Sequence, residues 1–170
     1  MSTALDLALL RVSEPEVRQL LQACQEVKKR AYSVYSNFRV GAALITERDR
    51  HIITGCNVEN ASYGLTVCAE RAAICQAVSR GYREFSCIAV TSDVQGVYCT
   101  PCGACRQFIA EFSPEGYVLL VQPGLSEDEY LKGKGAQIVA VSSLLPSGFT
   151  PADLHLPKHK EQDVTETIQL

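Results

Sequence analysis

Two short runs, Cys68-Ala-Glu70 and Pro101-Cys102-Gly-Ala-Cys105, offer three thiol ligands and one carboxylate to a single metal ion. Soft thiolates select zinc over hard cations such as magnesium or calcium. Catalytic zinc is typically held by three protein ligands, with the remaining position open to water. A carboxylate two residues from a ligand is then placed to move that water's protons, because it can accept and donate in turn. Three thiolates on a dication leave such a site formally negative. Arg71, next to Glu70, is expected to offset that charge by hydrogen-bonding to a ligating sulfur.

Such a site needs rigid elements to present it. Thr66 reads as the cap of a helix over residues 66–80, which puts Cys68 in its first turn. Ile74, Ala77 and Val78 form the inner face of that helix, and Gly81 stops it. Thr100 reads as the cap of a second helix over residues 100–112, with Pro101 in its first position and Pro114 beyond its end. Unpaired backbone N–H groups at a helix start favour thiolate over thiol, so two helix starts converging on one ion give these positions a physical reason. Cys102 and Cys105, three residues apart, share a helix face.

Around these helices the pattern predicts an earlier amphipathic helix over residues 14–30, with Val17, Leu20, Leu21, Cys24 and Val27 inward and Ser13 and Pro15 at its start. Strands are expected over 38–46 and 51–56, joined as an antiparallel hairpin by the polar stretch 47–50. Further strands follow at 85–91, 117–122 and 136–141, the last two joined by a polar, Gly-rich stretch with at most a short helical turn at 127–131. Apolar residues on both faces of the first strand require a sheet covered on both sides. The fold class is therefore α/β, a three-layer α/β/α arrangement around a mixed five-stranded sheet, with parallel neighbours expected at its centre. Three segments are expected: an N-terminal extension (1–12), one catalytic domain (13–154) and a polar C-terminal tail (155–170).

With 170 residues, a formal charge of -3 and a pI of about 5.6, the chain is long enough for one well-buried core and has no dominant basic surface. That composition disfavours nucleic acid, which is gripped through phosphate-neutralising Lys and Arg. The first ten residues have no basic start, and Asp6 interrupts their apolar run, so neither a signal peptide nor a membrane span is read. A cytoplasmic location is the expectation. Eight cysteines without a secretion signal favour reduced thiols and metal ligation over a disulfide framework. Cys24, Cys56, Cys75 and Cys87 read as core thiols. His51, His155 and His159 read as surface residues with no role in the site.

Five pieces in order carry a family resemblance: Tyr35-Ser-Asn-Phe38-Arg-Val-Gly-Ala-Ala43, Gly55-Cys-Asn57-Val-Glu59-Asn60-Ala61, Cys68-Ala-Glu70-Arg71, Pro101-Cys102-Gly-Ala-Cys105-Arg106 and Leu144-Leu-Pro-Ser-Gly-Phe149. From about Val17 to Leu154 the chain resembles the small homotetrameric cytidine deaminases that act on free nucleosides. The resemblance implies one Zn2+ per subunit on Cys68, Cys102 and Cys105, and hydrolysis of cytidine and deoxycytidine to uridine and deoxyuridine in pyrimidine salvage. It makes Glu70 the proton shuttle, moving a proton from water to N3 of the ring and a second one to the leaving amino group. Asn57 and Glu59 are implied to hold the ribose 3′-hydroxyl, and Phe38 to stack on the pyrimidine. Ala61, Tyr63 and Ala69 are implied to line the substrate pocket, and Phe149 to complete a neighbouring subunit's site in a homotetramer.

Two other readings stay open at the level of sequence. Cys99, Cys102 and Cys105 form a repeated Cys-x-x-Cys that, with Cys68, could close an all-cysteine structural zinc site in an interaction module. A deaminase acting within nucleic acid or on a nucleoside antibiotic would use similar chemistry, although polynucleotide deaminases of this superfamily usually have His where this chain has Cys68.

Overall fold

The computed structural model describes residues 4–156; the ends of the N-terminal extension and of the polar tail, including His159, lie outside the described residues. Five strands, β1 (Val40–Thr46), β2 (Ile52–Cys56), β3 (Phe85–Ser92), β4 (Tyr117–Val121) and β5 (Ala136–Ala140), form one sheet in the order β2-β1-β3-β4-β5. Pairing is antiparallel throughout except between β3 and β4. The sheet is mixed and five-stranded, as read from the sequence.

The helices divide between its faces. Leu10 of α1 (Leu7–Leu10), together with Val17, Leu20, Leu21 and Cys24 of α2 (Glu14–Lys28), packs on Ala43, Ile45, Cys87, Ala89 and Leu119. Tyr130 of α5 (Glu127–Leu131) joins this layer, with its phenol donating to the Gln122 carbonyl at 2.5 Å. On the opposite face, Ala69, Ala73, Ile74 and Ala77 of α3 (Ala69–Ser79) and Ile109 of α4 (Gly103–Phe112) pack on Ala42, Leu44, Ile53, Ile88, Val90 and Val118. A short α6 (Val141–Leu144) completes that side. Alternate strand residues thus feed two separate apolar layers, which explains why β1 and β3 are buried at almost every position.

Several local expectations need correction. Parallel neighbours occur at only one junction, because α3 carries the chain from β2 across β1 to β3 instead of to an adjacent strand. The last strand stops at Ala140, where the chain turns into α6, and the segment before Ser13 contributes the buried Leu10 and Val12 to the core. Of the four expected core thiols only Cys24 and Cys87 are buried; Cys56 is half-buried and Cys75 lies exposed on α3. Helical periodicity turns Cys75 outward between Ile74 and Ala77, which face the sheet.

The sheet also fixes where the chemistry sits. β2 and β3 run in the same direction on either side of β1, so both end beside Val40 and Gly41, opposite Ser92 and Cys56 respectively. The helices that follow them begin at that edge. α3 lies directly on β2 at Gly55, where an added Cβ would fall 2.3 Å from the Ala73 nitrogen and 2.4 Å from the Ala69 carbonyl oxygen. Neither contact can be relieved by a side-chain rotation, because both are backbone. Gly55→Ala should therefore destabilise the fold by about 2 kcal/mol or more, roughly 4–8 °C in Tm, and lower zinc occupancy along with it; calorimetry with metal analysis checks both.

Candidate active site

The two ligand helices begin in the same way. Cys68 is the N-cap of α3 (φ -71°, ψ 155°) and Cys102 the N-cap of α4 (φ -68°, ψ 169°), each with extended backbone. This corrects the sequence reading, in which Thr66 and Thr100 were the caps. Thr66 instead closes the 3-10 turn Tyr63–Leu65, and its carbonyl accepts a 3.0 Å hydrogen bond from Arg71. Neither sulfur makes a side-chain capping hydrogen bond, which leaves both free to serve a metal, while the helix starts favour negative charge nearby.

Three sulfurs converge there. Cys68 Sγ and Cys102 Sγ are 3.8 Å apart, Cys102 Sγ and Cys105 Sγ 3.5 Å, and all three lie within 4.8 Å of one another. Tetrahedral zinc with bonds of about 2.3 Å sets its sulfurs about 3.8 Å apart, so the trio fits the ion as it stands. Cys99 is not a member of this group, and burial raises its thiol pKa.

The surroundings favour a charged sulfur at Cys68. A hydrogen bond from the Cys105 thiol, reinforced by the Arg71 guanidinium 3.5 Å away, lowers the Cys68 pKa to about 5. Cys105, as the donor and in a buried position, is pushed upward. Arg71 thus sits where charge compensation was expected, joining Thr66 to the Cys68 sulfur. Glu70, in the first turn of α3, is only 4% exposed. Burial raises its pKa; the adjacent Cys68 adds to the rise, whereas a hydrogen bond with Cys105 opposes it. A buried carboxyl beside three metal-binding sulfurs, shifted toward neutrality, has the properties of a group that both takes up and gives back protons.

Backbone pairing brings the second cluster alongside. Val58 and Val67 exchange N–H···O bonds at 2.9 and 3.0 Å, so Asn57 and Glu59 lie against the strand-like stretch leading into Cys68. Asn57 is buried; its Oδ1 accepts from the Val40 amide and its Nδ2 donates to the Phe38 carbonyl, both at 2.8 Å. The Glu59 carboxylate accepts from the Tyr35 amide at 2.8 Å, the Ser36 amide at 3.2 Å and the Ser36 hydroxyl. The Ser36 hydroxyl is the leading cause of a lowered Glu59 pKa, so Glu59 stays ionised. Tyr35, Ser36, Glu59, Tyr63 and Thr66 line an open cleft of ≈ 160 Å³.

The remaining expected residues are spread around this edge. Ala69 is buried as the first residue of α3, and Ala61 is exposed just before the 3-10 turn. Tyr63, with its ring 5.8 Å from Tyr35, is 74% exposed; Phe38 is 39% and Phe149 60% exposed. Two residues that sequence reasoning did not assign to the site tie it together. Ser36 bridges Glu59 and the Phe38 amide, and Arg106 donates to the Pro101 carbonyl at 2.8 Å and to the Leu144 carbonyl at 2.9 Å. Both lie inside motifs that the sequence singled out, but a hydroxyl or guanidinium gives no sign of its backbone partners there.

The family model for the cytidine and deoxycytidylate deaminase zinc-binding region matches residues 15–121. The chain belongs to the cytidine and deoxycytidylate deaminase family. Within that family, it is 42% identical to a cytidine deaminase of Sporosarcina psychrophila over 82% of this chain and 95% of the relative. Against the cytidine deaminase of Halalkalibacterium halodurans the identity is 40%, covering 81% and 97% of the two chains. The crystal structure of cytidine deaminase from Burkholderia pseudomallei superposes with a TM-score of 0.67 at 41% identity, covering 77% of this chain and 97% of that one.

In this deaminase-family chain, Arg71→Ala should raise the Cys68 pKa, so that protons displace the metal at higher pH. The acid midpoint of zinc release is expected to move upward and zinc affinity to fall by about 10–100-fold, measured by chelator competition across a pH series.

Proposed function

We propose that this chain is a zinc-dependent hydrolase that deaminates cytidine and deoxycytidine to uridine and deoxyuridine, releasing ammonia. The observation that carries this reading is the meeting of three sulfurs at two helix starts with the buried Glu70 carboxyl beside them. Held by Cys68, Cys102 and Cys105, zinc would supply a Lewis acid that makes water acidic enough to act as a nucleophile near neutral pH.

The chain's own groups do the rest. Glu70 takes a proton from the attacking water and passes it to N3 of the cytosine ring, which makes C4 more electrophilic. It then takes the second proton to the amino group, so that ammonia leaves and a carbonyl remains. The raised Glu70 pKa supports both transfers, since neither protonation state is far from reach. Arg71 offsets the charge of the thiolates through Cys68.

Substrate binding follows from what Asn57 and Glu59 have left to give. A carboxylate offers about four acceptor sites, of which Glu59 has spent three on Tyr35 and Ser36. Asn57 keeps one N–H and one lone pair after serving Phe38 and Val40. One hydroxyl, donating to Glu59 and accepting from Asn57, uses this remainder, which supports recognition of the ribose 3′-hydroxyl with no demand for a 2′-hydroxyl. Phe38, Tyr63, Ala61 and Ala69 frame the pyrimidine and sugar.

The assembly reading is a homotetramer with Phe149 reaching a neighbour's site. It is supported by large apolar side chains left open at the surface, including Val34 at 57%, Leu65 at 67% and Phe149 at 60% exposure, which a subunit contact would cover. No helix among the described residues is long and apolar enough to cross a membrane.

A turnover assay that follows loss of cytidine absorbance, with zinc quantified, tests the reading directly. Wild type should turn over both nucleosides with one zinc per subunit, and X-ray absorption should find three sulfurs and one lighter donor. Glu70→Gln should keep zinc and fold but lose about 10²–10⁴-fold in kcat; four sulfurs, or a zinc-loaded protein inert toward nucleosides, would favour a structural module. Light scattering should give a mass of four subunits, and an active monomer would contradict the assembly.

A further inference from the structure

Tyr35 and Ser36 line one wall of the cleft, and their hold on Glu59 has a redundancy that the binding reading does not use. Two backbone amides, from Tyr35 and Ser36, already anchor Glu59 Oε2. Held at that oxygen alone, the carboxylate could still pivot about it through coupled changes of its side-chain torsions, the last of which is broad for glutamate. The Ser36 hydroxyl removes this freedom by donating to Oε1, the other oxygen. The same hydroxyl accepts from the Phe38 amide at 3.0 Å, so its proton is directed at Glu59. Asn57 meanwhile holds the Phe38 carbonyl and the Val40 amide. Ser36, Asn57 and Glu59 are therefore one hydrogen-bonded unit.

We propose that Ser36 is a specificity-determining positioning residue: by pinning Oε1 of Glu59 it leaves a single acceptor site for the substrate, and so sets how strictly the enzyme demands a sugar 3′-hydroxyl. This rests on the nucleoside deaminase reading and extends it. A pinned carboxylate cannot turn to find water when the hydroxyl is missing, so an analogue lacking that group leaves Glu59 and Asn57 unpaired inside the occupied cleft. Unpaired polar groups of this kind produce strong rejection. Released from Ser36, Glu59 gains rotational freedom and a vacated acceptor site that water can serve, and the rejection weakens.

The test is steady-state kinetics of the zinc-loaded protein on deoxycytidine and 2′,3′-dideoxycytidine, which differ only at the 3′ position. Wild type should favour deoxycytidine. Ser36→Ala should narrow the ratio of the two kcat/KM values by about tenfold, chiefly through a lower KM for 2′,3′-dideoxycytidine, and Ser36→Thr, which keeps the hydroxyl, should restore it. Ser36→Cys, close in size but a weak donor, should behave like Ser36→Ala and carries the comparison if the alanine variant does not fold. Equal losses on both substrates would mean that Ser36 acts only through Phe38, and an unchanged ratio would mean that it does not act; either overturns the inference. Wild type inert toward both nucleosides would overturn the deaminase reading itself and this inference with it.

Discussion

The site depends on the convergence of two helix N-termini at one edge of the sheet. Each helix start exposes unpaired N–H groups and the positive end of its dipole, and each has a cysteine at its N-cap position. Three sulfurs packed within a few ångströms would repel one another as thiolates. The helix starts, Arg71 and the ion they are built to hold make the cluster tolerable. Removing any of these leaves negative charge in a partly buried place, so metal binding and local folding are coupled.

The sheet makes the convergence possible. Because α3 carries the chain over β1, β2 and β3 point in the same direction and open at the same edge. Gly55 lets α3 lie on β2 without a gap, and the buried Ala69 and Ala73 continue that close contact. Small residues at this interface thus act on the chemistry from a distance, since they set where Cys68 and Glu70 begin. Arg106 does the same on the other side, fastening the start of the Cys102 loop to the turn that leads to Phe149.

A second polar unit stands beside the metal cluster. Asn57 and Glu59 serve as scaffold, because most of their hydrogen-bonding capacity goes to residues 35–40. Asn57 and Glu59 are held by the backbone that carries Phe38, so these three residues are positioned together and cannot adjust independently.

Much of this was legible in the chain alone. The convergent cysteines follow from residue type and spacing, the sheet covered on both sides from apolar residues on both faces of β1, and α2 from its 3.6-residue period with Ser13 and Pro15 at its start. What failed did so for identifiable reasons. Thr66 and Thr100 have better capping chemistry than cysteine, and only the fold reveals that Cys68 and Cys102 hold those positions. Cys75 sits in an apolar stretch, yet faces out because the sheet lies on the other side of α3. The crossing of β1 and the partners of Ser36 and Arg106 were likewise invisible, whereas the contact of Arg71 with a ligand sulfur was expected. Local pattern determines which residues can bind metal, cap a helix or fill a core, since those are properties of side chain and period. Which of them meet is a matter of long-range packing, because hydrogen bonds and sulfur contacts between residues far apart in the chain exist only once the sheet has brought their backbones together.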